Sequence, residues 1–535
     1  MNRNALLSVA GSAVLCACGN SASLGSVSAG RAGSGPEQCL QVVAGIDLQS
    51  ATVPELQQAL RAGTVTSEAL TSAYLQRIAT FDTAGSKLNS IRVLAPDAIE
   101  QARAADRERA AGVFTGPLQG LTIVLKDNVG TTDMTTTAGS IALELNIPKS
   151  EATITTKLRQ AGAIVLGKVN LSEFANWVDP RMPSGYSSLG GQVIAPYDFA
   201  MSPLGSSSGS SVAATMAFST LTIGTETSGS IISPSTVQSA VGVKPTLGLV
   251  SRAGIIPLAP SFDTSGPIVR NVTDAAILLG VIAGVDPKDP ATQKFALSPL
   301  AGIVPDYVAH LSATALKGAR LGVRSNDLGS SALFDAAVKV LTDRGAQIVQ
   351  IPDPLSSTVA SSSDISIAEL GAIFNEFKFS LNNYLADEAG PDVPVHSLTD
   401  IILFNQQHTD KVKYGQTYLI VSDAQTGLDA DPVALAAREI AIHGAQLWID
   451  TMSDQFQLDA IIAPDFNNVS STAAAGYPDV TVPMGYVGQT PHGLSFAGKA
   501  FTEQRLLALA YDYEQATKLR RPATVINPQL AKFCP

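Results

Sequence analysis

Residues 205–211 read GSSSGSS and residues 224–230 read GTETSGS, two serine- and glycine-rich loops separated by a short hydrophobic run. A lysine, Lys126, lies upstream at the end of the apolar segment 121–125. Small residues let backbone amides approach a ligand closely, and a hydroxyl beside a buried amine forms an activated nucleophile without histidine. The three segments together predict a hydrolase site on the loops of an α/β fold.

Composition narrows the class of protein. The chain has 535 residues, of which 45% are hydrophobic and 15% charged, and its formal net charge is −11. This apolar content predicts a large buried core rather than disorder. No basic run is present, which argues against a nucleic-acid partner. The four cysteines and five histidines show no metal-ligand spacing, so we expect neither a metal nor a cofactor.

The first 18 residues are typical of an export signal, with one positive charge, an apolar run at 5–15 and small residues after it. They predict an exported protein, either periplasmic, membrane-anchored or secreted. Residues 15–18 (LCAC) resemble a bacterial lipoprotein cleavage box with Cys18 as the lipidated residue, and ordinary signal cleavage remains open. Residues 19–45 are predicted to be a flexible tether, and 46–535 a single catalytic domain. Cys39 and Cys534 either form a disulfide in an oxidising compartment or stay as free thiols.

Hydrophobic periodicity predicts strands that alternate with helices, which is typical of an α/β fold with a central sheet. The predicted helices cover residues 53–62, 67–80, 95–111, 152–161, 210–219, 333–343, 367–386, 432–455 and 503–517. The predicted strands cover residues 121–125, 163–166, 221–223, 321–323, 346–351, 460–462 and 479–482. Residues 285–450 contain few glycine loops and predict a helical lobe over the site.

Over roughly residues 46–525 the sequence resembles the amidase signature family. The resemblance is carried, in chain order, by residues 116–126, 167–170, 173–175, 205–211, 224–230, 242–246, 263–267, 477–478 and 482–485. It implies the amidase signature fold, a large mixed central β-sheet covered by helices on both faces. Within the family the bacterial peptide amidases look most similar, through residues 224–230, 249–252 (LVSR) and 376–378 (EFK).

The resemblance also implies the chemistry, which is hydrolysis of carbon–nitrogen bonds other than peptide bonds through an acyl-enzyme. Ser230 matches the nucleophile, Ser206 the bridging serine beside a cis peptide bond, and Lys126 the base. A lysine accepts a proton only when neutral, so burial or a positive neighbour must lower its pKa. The implied substrate is a C-terminal peptide amide or another carboxamide, with aryl amides, carbamates and esters as alternatives.

The implied oxyanion hole consists of the backbone amides of Thr227, Ser228, Gly229 and Ser230. Three neighbouring positions depart from the common family pattern. Glu226 stands where relatives carry Asp, Ser228 where they carry Gly, and Ile232 where they carry Arg. The departures leave the three catalytic positions intact, but the loss of a guanidinium at 232 means that carboxylate binding there is not expected.

Other interpretations of the same residues remain. Residues 205–209 also fit the Gly-x-Ser-x-Gly elbow of an α/β-hydrolase-type esterase, with Ser207 as the nucleophile. Lys168 follows a second apolar strand and is a rival base, which we interpret as structural. A non-enzymatic binding protein that retains an inactive triad is a further alternative, and the presence of all three triad residues argues against it.

Overall fold

The computed structural model describes residues 41–298, 306–353 and 362–533. The predicted signal peptide, Cys18, both disulfide candidates Cys39 and Cys534, and the tether up to residue 40 lie outside the described residues. Residues 42–47 form a hairpin with a two-residue turn at Ala44 and Gly45. The last residues of the predicted tether, 42–45, belong to this hairpin, in which Val42 pairs with Asp47.

Fifteen strands occur within the described residues, and eleven of them form one mixed sheet. The strands are β1 (Val42–Val43), β2 (Ile46–Asp47), β3 (Ile91–Leu94), β4 (Thr122–Lys126), β5 (Ile164–Val169), β6 (Tyr186–Ser187), β7 (Gly191–Gln192), β8 (Leu221–Glu226), β9 (Val241–Lys244), β10 (Thr264–Val269), β11 (Arg320–Arg324), β12 (Gln347–Ile351), β13 (Ala460–Pro464), β14 (Asp479–Val487) and β15 (Thr490–Ala497). The strand order in the large sheet is β12-β11-β13-β15-β14-β9-β10-β8-β4-β5-β3.

Strand direction brings the two serine-rich loops and the lysine to one edge of the sheet. β4 is parallel to β5 on one side and to β8 on the other. Because these three strands run the same way, their carboxyl ends meet at one edge, where ligand sites of α/β proteins commonly form. The antiparallel strand β10 begins at the same edge, with Thr264 opposite Glu226.

Helices cover both faces of this sheet. In chain order they are α1 (Val53–Ala62), α2 (Ser67–Arg77), α3 (Ala98–Ala110), α4 (Thr153–Gln160), α5 (Glu173–Asn176), α6 (Ser208–Thr215), α7 (Ile232–Val237), α8 (Val272–Ile282), α9 (Gln293–Ala296), α10 (Ala332–Asp343), α11 (Ser362–Asp387), α12 (Leu398–Gln406), α13 (Thr417–Asp423), α14 (Pro432–Phe456), α15 (Val469–Ala475), α16 (Glu503–Thr517), α17 (Ala523–Ile526) and α18 (Pro528–Ala531).

The alternation along β14 shows why two helical layers are needed. Val480 and Val482 are buried in the main apolar core together with Leu506 of α16. Asp479 points to the other face, where its carboxylate accepts a hydrogen bond of 3.4 Å from Thr472 of α15. Because successive side chains of a strand point to opposite faces, a strand that is buried along its length requires cover on both sides.

Three arginines, of which Arg77 and Arg270 are buried and Arg520 is partly buried, fix the helix that follows the first serine loop. The C-terminal end of α6 exposes carbonyl oxygens that have no partner inside the helix. Arg77 donates to the carbonyls of Met216 and Ala217 at 3.1 and 3.0 Å. Arg270 donates to Ser219 and Thr220, and Arg520 to Thr215, at 2.9 to 3.0 Å. Cations are stabilising at the negative end of a helix dipole. The three arginines therefore stabilise the C-terminal end of α6.

Most predicted elements are present, but one prediction is wrong, and the sheet strands β3, β9, β10 and β15 were missed. Helices α1 and α16 have the predicted bounds 53–62 and 503–517. Residues 285–450 are not a purely helical lobe, because β11 and β12 lie inside this range and belong to the sheet. The central strand β10 was not predicted, since Gly266 and Pro267 interrupt its apolar pattern and proline is rare in central strands. Among the described helices, none has the length and apolarity required to cross a membrane.

Candidate active site

Lys126 ends β4 and is fully buried. Its ammonium nitrogen lies 2.7 Å from Ser206 Oγ, 3.0 Å from the carbonyl oxygen of Thr225 and 2.9 Å from Thr225 Oγ1. No carboxylate is hydrogen-bonded to it among the described residues. Burial lowers the pKa of Lys126 to about 7, and the charges of Asp263 and Glu226 only partly offset this effect. At neutral pH a large fraction of this amine is therefore unprotonated and able to accept a proton.

The two serine loops meet beside this lysine. The Gly205–Ser206 peptide bond is cis. The backbone N–H of Ser207 donates to the carbonyl of Ser230 at 3.2 Å, which joins the first loop to the second. Ser206 is fully buried, whereas Ser230 is 5% exposed. The structure thus brings together the three residues that the sequence predicted as base, bridging serine and nucleophile.

Ser207 is directed into the protein rather than towards a ligand. Its hydroxyl donates to the carbonyl of Thr225 at 2.9 Å and accepts from the N–H of Thr225 at 3.2 Å. Gly224 permits this contact, because a Cβ there would lie 2.9 Å from Ser207 Oγ. The elbow interpretation needs an exposed serine at this position and gains no support.

Ser208 and Ser210 support the first loop. Ser208 donates to the carbonyl of Leu204 at 2.6 Å, and Ser210 donates to Ile223 of β8 at 2.9 Å. Both hydroxyls are therefore occupied by backbone acceptors.

The segment 227–230 is held at both ends and open in the middle. At one end the carboxylate of Glu226 accepts hydrogen bonds from the N–H groups of Ile231 and Ile232, at 2.7 and 3.0 Å. At the other, Thr227 Oγ1 donates to Asp263 at 2.6 Å. The N–H groups of Ser228, Gly229 and Ser230 have no hydrogen-bond acceptor in the described part of the chain. Such a row of free backbone donors is suited to binding a negatively charged oxygen.

Gly229 is required at the middle of this segment. Its φ is +80°, a left-handed conformation that glycine adopts without strain. An added Cβ would lie 2.9 Å from Ser233 Oγ and 3.0 Å from a methyl carbon of Val469. A side chain at this position would therefore distort the row of donors.

Lys168, the rival base, lies on the neighbouring strand in a different environment. Its ammonium donates to Thr136 Oγ1 at 2.7 Å and lies 3.7 Å from the carboxylate of Asp127. Asp127 in turn forms an ion pair with Arg92 at 2.5 Å. Burial lowers the pKa of Lys168 to about 7 as well, although Asp127 opposes the shift. The hydrogen bonds of Lys168 do not include a serine of either loop.

A cavity of about 270 Å³ opens next to the lysine and the loops. It is lined at its base by Asn128, Thr225 and Thr227, and along its walls by Phe174, Ile256 and Tyr384, among others. Asn128 donates to Thr225 Oγ1 at 3.0 Å, which orients the hydroxyl that Lys126 contacts. The volume lies just below the range of about 300–1,000 Å³ that is typical of small-molecule sites.

One wall of the cavity is a strained turn. Phe174, Ala175 and Asn176 have φ values of 45°, 57° and 74°, which L-residues seldom adopt in succession. The carboxyl of the preceding Glu173 accepts a hydrogen bond from the N–H of Ser188 at 2.7 Å and helps to hold the turn. Backbone strain of this kind clusters at functional sites and persists where the surroundings enforce it.

The three residues that depart from the family pattern lie in different surroundings. Glu226 holds the N–H groups after Ser230, so its carboxylate has a positioning contact. Ile232 is fully buried in an apolar cluster with Ile231 and Ile268, and therefore offers no charged group to a ligand. Ser228 is exposed and lines a second cleft.

The described residues contain no group of three or more His, Cys, Asp and Glu side chains suited to a metal ion. Sequence reasoning named Lys126, Ser206 and Ser230 but missed the roles of Thr225, Glu226 and Asp263 in holding them. The motif contained the signal for Glu226, since a carboxylate just before a row of free amides is well placed to accept from the next N–H groups.

Comparison with known proteins agrees with this geometry. The model of the amidase family, described as Amidase, matches residues 69–507. A protein of Arabidopsis thaliana named as a probable amidase is 36% identical over 90% of this chain and 92% of its own length. The solved peptide amidase of Stenotrophomonas maltophilia is 41% identical, with a TM-score of 0.83 over 88% of this chain and 98% of that one. A Geobacter protein that is one component of a glutamyl-tRNA(Gln) amidotransferase is 32% identical over 87% of this chain and 97% of its own length.

The chain therefore belongs to the amidase family, and it is an amidase-type hydrolase that acts on carbon–nitrogen bonds. Its fold, a mixed eleven-stranded sheet with helices on both faces, matches that of the peptide amidase. The names of its relatives cover different substrates, so membership of the family does not by itself define the substrate of this protein.

Proposed function

We propose that the protein hydrolyses carboxamides through an acyl-enzyme on Ser230, with Ser206 and Lys126 as a proton relay. The observation that carries this proposal is the 2.7 Å contact between Lys126 and Ser206 in a buried site where no carboxylate of the described residues is hydrogen-bonded to the lysine. A neutral lysine in this position is a base for a serine proton.

In the first half-reaction, Ser230 Oγ attacks the amide carbonyl and its proton passes through the hydroxyl of Ser206 to Lys126. The carbonyl oxygen becomes an anion, which the free N–H groups of residues 228–230 stabilise. The proton then returns along the same path to the nitrogen, because an amine leaves poorly as an anion. Ammonia or an amine departs, and the acyl group remains as an ester of Ser230.

In the second half-reaction, water takes the place of the serine hydroxyl as nucleophile. Lys126, again unprotonated, accepts a proton from the water through Ser206 and returns it along the same path to Ser230 Oγ as the acyl ester is cleaved. The products are a carboxylic acid and the free hydroxyl of Ser230. The balance of the reaction is one amide and one water converted into one acid and one amine, without a redox step.

A C-terminal peptide carboxamide is the substrate class that we propose. The 41% identity to a peptide amidase supports this choice, as does a partly apolar cavity lined in part by Thr225, the residue that Lys126 contacts. The leaving ammonia of such a substrate needs little space, so the cavity is available to the acyl part.

The test is ammonia release from peptide amides, simple aliphatic amides and aminoacyl amides, with an anilide and an ester followed by their own leaving groups. Wild type is compared with Ser230→Ala and with the matched neighbour Ser207→Ala. We expect turnover of peptide amides that is lost in Ser230→Ala and kept in Ser207→Ala. Turnover that survives in Ser230→Ala would refute the nucleophile assignment, and turnover restricted to the anilide or ester would refute the substrate class.

A further inference from the structure

A second cleft, of about 390 Å³, adjoins the segment 225–230 and shares no lining residue with the main cavity. Thr225 and Thr227 line the main cavity, whereas Ser228 lines the second cleft. It is lined in part by Trp177, Ser228, Glu369, Ile373, Phe466 and Val469. The proposed mechanism uses none of these side chains.

Glu369 of α11 is the unusual member of this lining. It is 4% exposed, and its Oε1 has no hydrogen-bond partner in the described structure. Burial raises the pKa of Glu369 to about 8, and a hydrogen bond with Ser228 offsets this shift only in part. A buried carboxyl is normally paired or fully hydrogen-bonded, so this one lacks a counterpart.

The charged groups nearest to Glu369 do not supply that counterpart. Lys244 is bonded elsewhere, because its ammonium donates to the carbonyl of Tyr477 at 2.6 Å. Glu226 adds negative charge and raises the pKa of Glu369 further. A cationic ligand in the cleft would supply this counterpart and would favour the ionised form of Glu369, which is mostly protonated near pH 7 without it.

The aromatic lining suits such a ligand. The indole N–H of Trp177 donates to Ser422 at 3.1 Å, and its ring lies 4.7 Å from that of Phe374 and 5.0 Å from that of Tyr418. Trp177 is thus fixed in orientation, and Phe466 is 40% exposed beside it. Aromatic side chains together with a carboxylate are a common environment for an ammonium group.

We propose that this cleft binds an ammonium group carried by the acyl part of the substrate, with Glu369 and Ser228 as its polar partners. The inference rests on the proposed function, since Ser228 belongs to the segment that holds the reacting carbonyl. It narrows the substrate class to amino acid amides and short peptide amides with a free amino terminus. Ser228, a departure from the family pattern, then contributes to substrate selection.

The kinetic test uses amides that differ only in the ammonium group. L-phenylalaninamide is compared with 3-phenylpropionamide, and glycyl-L-phenylalaninamide with its N-acetyl derivative. We expect kcat/KM to be about 10- to 100-fold higher for the ammonium form in at least one pair, the factor that a hydrogen bond to a charged group supplies. Glu369→Gln should remove this preference and leave the neutral amides nearly unchanged.

The matched control is Glu376→Gln, two turns further along α11. Glu376 is also a mostly buried acid, but its carboxylate accepts from the N–H of Ser261 at 2.9 Å and from the Ser261 hydroxyl. This variant should retain the preference. The cation-site proposal would be overturned if wild type showed no preference for the ammonium form, or if the preference survived in Glu369→Gln. Either result would leave the proposed amide hydrolysis intact.

Calorimetry separates the proposal from the catalytic mechanism. The Ser230→Ala protein is titrated with the same amides, so that turnover is not required. We expect the ammonium form to bind about 10- to 100-fold more tightly, and Ser230→Ala/Glu369→Gln to bind both forms alike. If wild type cleaves no amide, the proposed function fails, and equal binding of the two forms to Ser230→Ala would independently refute the cation site.

Discussion

Lys126 and Lys168 are alike in their burial but differ in their bonded partners. They lie on the adjacent parallel strands β4 and β5, both are fully buried, and burial lowers the pKa of each to about 7. The register explains the difference. Lys168 is paired with Leu125, so it shares the face of Leu125 and Asp127, while Lys126 points to the opposite face. That face carries the first serine loop, since Gly224 on β8 contacts Ser207 there.

The two sites show that burial alone does not make a catalytic base. Lys168 faces Asp127, which is tied to Arg92, and forms part of a structural ion network. Lys126 faces a hydroxyl, a carbonyl and a threonine side chain, all of which are neutral. The bonded partners, rather than the pKa, distinguish the two lysines.

The largest expected effect is the loss of activity in Lys126→Met. Removing a proton acceptor costs about 10²- to 10⁴-fold in kcat, and we expect a decrease of this size. Lys168→Met, the same substitution on the neighbouring strand, should retain kcat within about tenfold of wild type. The measurement is ammonia release at saturating peptide amide, and the reverse ranking would assign the base to Lys168.

Asp127→Asn should affect stability rather than chemistry. The substitution leaves Arg92 and Lys168 without their shared carboxylate, and an uncompensated buried charge typically costs about 3–5 kcal/mol. Urea denaturation should show that the free energy of unfolding decreases by about 3–5 kcal/mol. The kcat of the folded fraction should stay near the wild-type value. A loss of kcat without a loss of stability would place Asp127 in the catalytic machinery.

The pH profile of kcat/KM tests the protonation state of Lys126. Its pKa is about 7, and the protonated amine cannot accept a proton, so activity should rise with pH up to about 7 and level off above it. Below that value kcat/KM should fall about tenfold per pH unit. Lys168→Met should show the same rise of kcat/KM with pH. A flat pH profile in that variant would contradict the assignment of the titrating base to Lys126.

The smallest expected effect is that of Ser207→Ala. The hydroxyl bonds both backbone groups of Thr225, so its removal should lower the free energy of unfolding by about 1 kcal/mol. Activity should remain within about tenfold of wild type. Thermal unfolding and amide turnover measured on one preparation check both values, and abolished turnover in a folded protein would revive the elbow interpretation.

The sequence predicted those features that local patterns encode. The apolar run before Lys126 predicts β4, and the serine and glycine loops of the predicted site lie together at one edge of the sheet. Ser206, Ser230 and Lys126 were named from motif order, and the structure brings them together.

Register and long-range contacts were beyond the sequence. Both Lys126 and Lys168 follow an apolar strand, and only the pairing of β4 with β5 decides which of them faces the serine loops. Asp263 lies 36 residues from the hydroxyl of Thr227 that it binds, and Glu369 reaches Ser228 from a distant helix. These contacts depend on how the chain is assembled, which local periodicity does not encode.

The most direct test of the Ser230–Ser206–Lys126 site is covalent labelling with a fluorophosphonate probe, followed by peptide mapping by mass spectrometry. Wild type, Lys126→Met and Lys168→Met are labelled side by side. We predict modification of Ser230, at a rate that falls in Lys126→Met and is retained in Lys168→Met. Labelling of Ser207, or equal rates in the two lysine variants, would contradict the account.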